Sequence, residues 1–201
     1  MNSSNVLKYF LLLLFFTAFS SYADDSSSET YSFFDEVTGL SIDLPKNWER
    51  RNPNEIKQAL VEINEMFWQR PASEGLSKSG VIFMAFANPY SGSENNRSFL
   101  SCVGSPVLPE MKPSHVKLLL ETNIQSTFGR YERDVTISEA SKFHISGKEA
   151  YRLSVLKDKD APGSFLFVGL LSKDRLIICS GGYDSTFKSA VERSLASIRF
   201  K

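Results

Sequence analysis

Two cysteines and two histidines carry the most versatile side-chain chemistry in this chain, and their spacing argues against its use. Cys102, Cys179, His115 and His144 form no H-x-x-H or C-x-x-C arrangement. A dedicated zinc site needs such a cluster, so none is expected. His115 falls near the start of a predicted helix, where it should be exposed, and His144 sits beside a strand turn. A reactive thiolate needs exposure and electropositive neighbours. Cys102 instead follows Phe99-Leu100-Ser101, and Cys179 follows Leu176-Ile177-Ile178. Two readings of the pair stay open. In an oxidising compartment they can close a disulfide, adding up to about 4.5 kcal/mol in the chain-entropy model. Alternatively they are two buried free thiols serving as small core residues. The Cα separation decides between these, and a sequence does not contain it.

Other constellations are weaker. Gly75-Leu76-Ser77-Lys78-Ser79-Gly80 misses the Gly-x-Ser-x-Gly spacing of a nucleophile elbow. Asp158, Asp160 and Asp174 lie in lysine-containing turns and read as solvated charges rather than acid/base or calcium ligands. Gly181-Gly182-Tyr183-Asp184-Ser185 reads as a loop entering a helix, a place that can hold anions. Asp184 would compete for the same donors, so a cap is expected there. With 16 Phe, 7 Tyr and 2 Trp, most aromatics are assigned to the core, Trp48 among them as a packing anchor. Trp68 falls off the apolar stripe of its helix and Tyr90 lies in a Gly/Ser/Asn loop, so these two are the candidate partner-binding residues. Asn96-Arg97-Ser98 fits the N-glycosylation pattern, which matters only in a eukaryote.

The elements that must position these residues follow from periodicity. Tyr31–Phe34 and Leu40–Leu44 read as strands around Glu36-Val37-Thr38-Gly39, the second alternating Leu40, Ile42 and Leu44 with polar residues until Pro45 ends it. Asn52-Pro53 opens a helix with the stripe Ile56, Leu60, Ile63 and Phe67. Val81–Ala87 reads as a strand buried on both faces, and Arg97–Val103 as another. Gly104–Pro113, with its prolines, is expected to be irregular. A second helix, capped by Ser114, places Val116, Leu120, Ile124 and Phe128 inward and closes at Gly129. Strands are then expected at Val135–Phe143, Ala150–Leu156, Ser164–Leu171 and Leu176–Cys179. A last helix presents Phe187, Ala190, Val191 and Leu195, and Ile198–Phe200 closes the chain. The result is α+β: one antiparallel sheet flanked by helices in a single domain.

The chain also carries an address. Lys8 precedes the apolar run Tyr9–Phe19, and Ser20-Ser21-Tyr22-Ala23 supplies small residues before a cut after Ala23. That is the order of a secretory signal peptide, so residues 1–23 are assigned to it. Eleven residues are too few for a membrane anchor, which needs about 20. Residues 24–30 are expected to form a flexible polar leader, and residues 31–201 the α+β domain, a normal size for one core. No cysteine near the cut offers a lipid attachment site. Bases and acids number 23 each, and losing Lys8 leaves the mature chain at −1. This removes the electrostatic drive toward nucleic acid or anionic membranes. The product is expected in the periplasm or outside the cell, with no transmembrane anchor and no cofactor.

Three motifs taken in order carry a resemblance. They are Gly39-Leu40-Ser41-Ile42-Asp43-Leu44-Pro45-Lys46-Asn47-Trp48, the turn Ile145-Ser146-Gly147-Lys148-Glu149-Ala150-Tyr151, and a terminal helix running into Ser197-Ile198-Arg199-Phe200. Over most of residues 31–201 the chain resembles the PsbP-like and DcrB-like exported proteins. The resemblance implies an α/β/α sandwich, a bacterial source, and a role in binding or assembly without a shared catalytic motif. It transfers no functional residues, and fold alone does not imply function. The leading expectation is a non-catalytic periplasmic accessory protein that binds another envelope or secreted protein. A small-ligand carrier or sensor, with a pocket between sheet and helices, ranks second. An enzyme with a scattered active site ranks third.

Overall fold

The structure, a computed structural model, describes residues 29–51, 80–87, 98–107, 110–131, 135–157, 164–183 and 185–201. The strands are β1 (Thr30–Phe34), β2 (Leu40–Pro45), β3 (Glu49–Arg51), β4 (Gly80–Phe86), β5 (Phe99–Pro106), β6 (Val135–Ile137) and β7 (Ser141–Ile145). β8 (Lys148–Lys157), β9 (Ser164–Ser172), β10 (Arg175–Tyr183) and β11 (Arg199–Phe200) complete them. Helix α1 spans Pro113–Tyr131 and α2 spans Lys188–Ala196.

The strands form two antiparallel sheets. The larger has eight strands in the order β3-β4-β5-β10-β9-β8-β6, with β7 also paired to β8. The smaller has three, β1-β2-β11. Alternation along each central strand divides the interior. Leu100, Cys102, Ile177, Cys179, Leu166 and Val168 face one side, packing with Leu40, Ile42 and Leu44 of β2 and Val191 and Leu195 of α2. Phe99, Ile178, Phe165 and Phe167 face the other, packing with Val116, Leu120, Ile124 and Phe128 of α1. The centre of the large sheet, β5, β10 and β9, is therefore buried on both faces, which is why these strands read as continuous apolar runs. At β4 a register shift between Val81 and Phe83 lets Ile82 and Phe83 both pack toward the small sheet. This is an α+β domain with an antiparallel sheet at its centre.

Several local expectations needed correcting. Val135–Phe143 is two strands, β6 and β7, because after Ser138, whose N–H still donates to the Ser154 carbonyl, the chain leaves the ladder and Ala140 N–H donates to Glu121 Oε1 of α1 at 3.1 Å. β5 continues through Gly104-Ser105-Pro106, because Leu176 and Arg175 extend β10 beside it. Gly181-Gly182 are inside β10 and not a loop. Gly181 is required there because a Cβ would overlap Val191 Cγ1 of α2. The last helix accordingly starts at Lys188, with Phe187 at the N-cap position. α1 starts at Pro113, so Ser114 lies inside its first turn. Pro45 ends inside β2, and β3 was not expected. The first strand reaches back to Thr30, inside the segment expected to be a loose leader.

Candidate functional site

The cysteines and histidines do not meet. Cys102 and Cys179 are directly opposite each other on β5 and β10, fully buried, and joined by a disulfide across a Cα–Cα distance of 4.0 Å. In this bonded form neither sulfur is a thiolate. Beside them, on the other face, the Ser101 and Ser180 hydroxyls pair at 2.9 Å, so the two neighbouring cross-strand pairs are one covalent and one hydrogen-bonded. His115 is exposed on α1, its Nδ1 accepting from the Lys112 N–H at 3.2 Å, and His144 is exposed on β7. Trp68 and Tyr90, with residues 1–28, Asn96, Asp158, Asp160 and Asp184, lie outside the described residues. Among the described residues, no group of three or more His, Cys, Asp or Glu is placed to hold a metal, and no helix is long and apolar enough to cross a membrane. Trp48 is buried and meets Phe187 edge-on at 5.9 Å.

The surface that stands out is the three-stranded layer. In β1, Tyr31 and Phe33 turn inward to the core, which leaves Thr30, Ser32 and Phe34 on the outer face. Register places Ser32 beside Asp43 and Phe34 beside Ser41, with Arg199 of β11 on the far side of Ser41. The Arg199 guanidinium grips Asp43 with two bonds, at 3.0 and 3.1 Å, and reaches Ser32 Oγ at 3.1 Å. Ser32 Oγ donates to Asp43 Oδ1 at 2.5 Å. The Arg199 and Ser32 bonds hold the Asp43 carboxyl below the usual carboxylate range. These charges are spent on one another.

At one end of this layer the chain turns from β1 into β2, and the turn is firmly built. Asp35 accepts from the Thr38 N–H at 2.9 Å and the Thr38 hydroxyl at 2.6 Å, while Thr38 Oγ1 accepts from the Leu40 N–H at 3.2 Å. Gly39 has φ 73°, and a Cβ there would lie 2.8 Å from the Lys201 carbonyl oxygen. The Lys201 N–H in turn donates to the Gly39 carbonyl at 3.1 Å, so residue 201 straps the turn. On this braced turn Val37 is 68% exposed and Phe34 is 43% exposed, with Lys201 Nζ 5.2 Å from the Phe34 ring centroid. Only Leu118 and Leu156 are comparably exposed large apolar residues among those described, and they sit on separate elements. Sequence reasoning passed over Val37 as an ordinary turn residue. Its signal was an apolar side chain between Glu36 and Thr38, where turns favour small or polar residues.

The edges of the two sheets also differ. Backbone bonds from Lys46 N–H to the Glu29 carbonyl and from Asp35 N–H to the Leu40 carbonyl set the phase of the β1–β2 ladder. In antiparallel pairing these alternate, so Tyr31 and Phe33 bond to β2 while Thr30, Ser32 and Phe34 point their N–H and C=O groups away from it. Among the described residues nothing pairs with that side of β1. The other edges among the described strands are blunted. β3 is three residues, all charged; β6 is three residues; β7 carries Lys142 in an ion pair with Glu149; and on β11 the Phe200 N–H is taken by Ser146 Oγ at 2.9 Å.

No protein-family model matches this chain, and no curated protein matches it in sequence. Solved structures do. The solution structure of cyanobacterial PsbP (CyanoP) from Synechocystis sp. PCC 6803 superposes with a TM-score of 0.56 at 13% identity, over 90% of this chain and 98% of that one. LpqN of Mycobacterium tuberculosis, described as involved in cell envelope biogenesis, gives a TM-score of 0.45 at 10% identity, over 84% of this chain and 86% of that one. The fold is PsbP-like.

Proposed function

We propose that this protein is an exported, non-catalytic accessory protein that binds another envelope or secreted protein through the β1–β2 end of its outer layer. The observation that carries this reading is the exposure of Val37 and Phe34 on a turn braced by Asp35, Thr38 and Lys201. An apolar side chain held rigid and exposed loses little conformational entropy on burial, so binding there is favoured over a mobile loop. Export is supported by the signal-like residues 1–23, and processing is assigned near Ala23. Trp68 and Tyr90 are proposed as further contacts for the same partner.

The test is cross-linked capture of the mature chain, exported by its own signal and read by mass spectrometry against an unrelated secreted protein. A stoichiometric envelope partner, captured at least tenfold less by Val37→Asp, is the expected result. Capture unaffected by Val37→Asp, Trp68→Ala and Tyr90→Ala would reject this surface. No partner, with a small molecule retained in native mass spectra, would replace an adaptor with a ligand carrier.

A further inference from the structure

We propose that the edge of β1 left unpaired among the described residues pairs with β1 of a second copy of this chain, joining the two outer layers into one continuous six-stranded sheet across a two-fold axis. The inference is independent of the accessory-protein reading. It begins from which groups the edge offers. Thr30, Ser32 and Phe34 present three N–H donors and three C=O acceptors, alternating along the strand with Ser32 at the centre. Only another extended backbone supplies that spacing of acceptors and donors, so the occupant is polypeptide.

The identity of that polypeptide follows from self-complementarity. An antiparallel copy centred on Ser32 sets Ser32 against Ser32 and Thr30 against Phe34, and these are the hydrogen-bonded pairs. Every outward N–H and C=O of the three residues on both copies is then used. The intervening pairs set Tyr31 against Phe33, in the positions where side chains approach more closely. Aromatic pairs across strands are favourable there. The strand Thr30-Tyr31-Ser32-Phe33-Phe34 contains no charge and no proline, so its own side chains do not repel across the axis and no donor is lost. The Arg199 guanidinium beside each Ser32 is already paired with Asp43 of its own copy. Beyond the strand, Glu29 of one copy faces Asp35 of the other. Each carboxylate already has donors: Lys46 Nζ at 3.0 Å on Glu29, and the Thr38 N–H and hydroxyl on Asp35. The contact is isologous and closes after two copies. Because the strands run antiparallel, the two Val37 turns come to lie at opposite ends of the new strand pair.

Ser32→Cys tests the axis directly, since a cysteine there faces its own copy at about 5.5 Å between Cα atoms, within disulfide reach. The native cysteines are already bonded to each other, so the new thiol has no internal competitor. The mature Ser32→Cys chain should form a covalent dimer in mild oxidant at least tenfold faster than a Leu118→Cys chain, whose site is also exposed. Sedimentation of the unmodified mature chain should show a concentration-dependent dimer. Thr30→Pro, which removes an N–H that β2 does not use, and Ser32→Lys should each weaken it at least tenfold while circular dichroism stays unchanged. A chain that remains monomeric, with Ser32→Cys no faster than Leu118→Cys, overturns the proposal. So does a dimer indifferent to Thr30→Pro and Ser32→Lys, which would lie at another surface. A monomer that loses a different protein partner on Ser32→Lys would give the edge to that partner and not to a second copy.

Discussion

Strands β5 and β10 are joined at their centres by a buried disulfide, a buried serine pair and an α-helix seated against Gly181. Strands β1, β2 and β11 are joined to each other by short ladders, an Arg199–Asp43 pair and a backbone strap from Lys201. In the first region the stabilising groups are out of water, where each lost contact leaves a void or an unmet polar group. In the second, the Arg199 and Asp43 side chains are 42% and 31% exposed, so water competes for each bond. The molecule thus separates a region that sets stability from one that is free to be a surface. Substitutions should divide the same way.

The largest effect is expected inside. Phe167 is fully buried and packs against Phe128 and Phe165 with ring centroids 6.4 and 6.3 Å apart. Phe167→Ala should cost about 3–5 kcal/mol in urea unfolding. Replacing both cysteines by alanine should cost about 2–5 kcal/mol, measured against the oxidised chain. A loss under about 1 kcal/mol would mean that packing alone locks β5 to β10. Gly181→Ala forces a methyl group into Val191 and should cost about 1–3 kcal/mol. The outer layer should respond less. Arg199→Ala should cost about 1 kcal/mol or less at neutral pH. Because Asp43 is held below the ordinary carboxylate range, its contribution is present above about pH 3.9, the unfolded value. It is lost as pH falls through the lower folded value, so Arg199→Ala should flatten the acid limb of the stability profile. Val37→Asp should change stability by less than about 0.5 kcal/mol while abolishing partner capture. A large stability loss there would erase the distinction between the two regions.

The reach of the sequence follows the same divide. The central strands were legible because burial on both faces leaves runs such as Val81–Ala87 and Ser164–Leu171, and no charge interrupts them. Strand ends were harder. Gly181-Gly182 resembled a loop because glycine marks turns, yet here it makes room for α2. Val135–Phe143 resembled one strand because its break is set by Glu121, a residue on a distant helix. The disulfide was undecided since it depends on the β5–β10 register, which places Cys102 opposite Cys179. The surface was the least legible part. Whether Val37 is exposed, or the β1 edge open, depends on what the fold lays over them, and no local pattern encodes that.

The outer layer has one more property, which concerns time rather than space. β2 is among the first strands synthesised, yet its second neighbour, β11, contains residues 199 and 200, and the Asp43 N–H waits for the hydroxyl of Ser197 at 2.8 Å. Until residues 197–201 have been synthesised, β2 holds an unclosed flank and Gly39 has no strap. Such long sequence separations slow folding and leave edges open to wrong partners. The β1–β2 hairpin therefore closes its outer layer only after about 150 further residues have followed it, at residues 197–201.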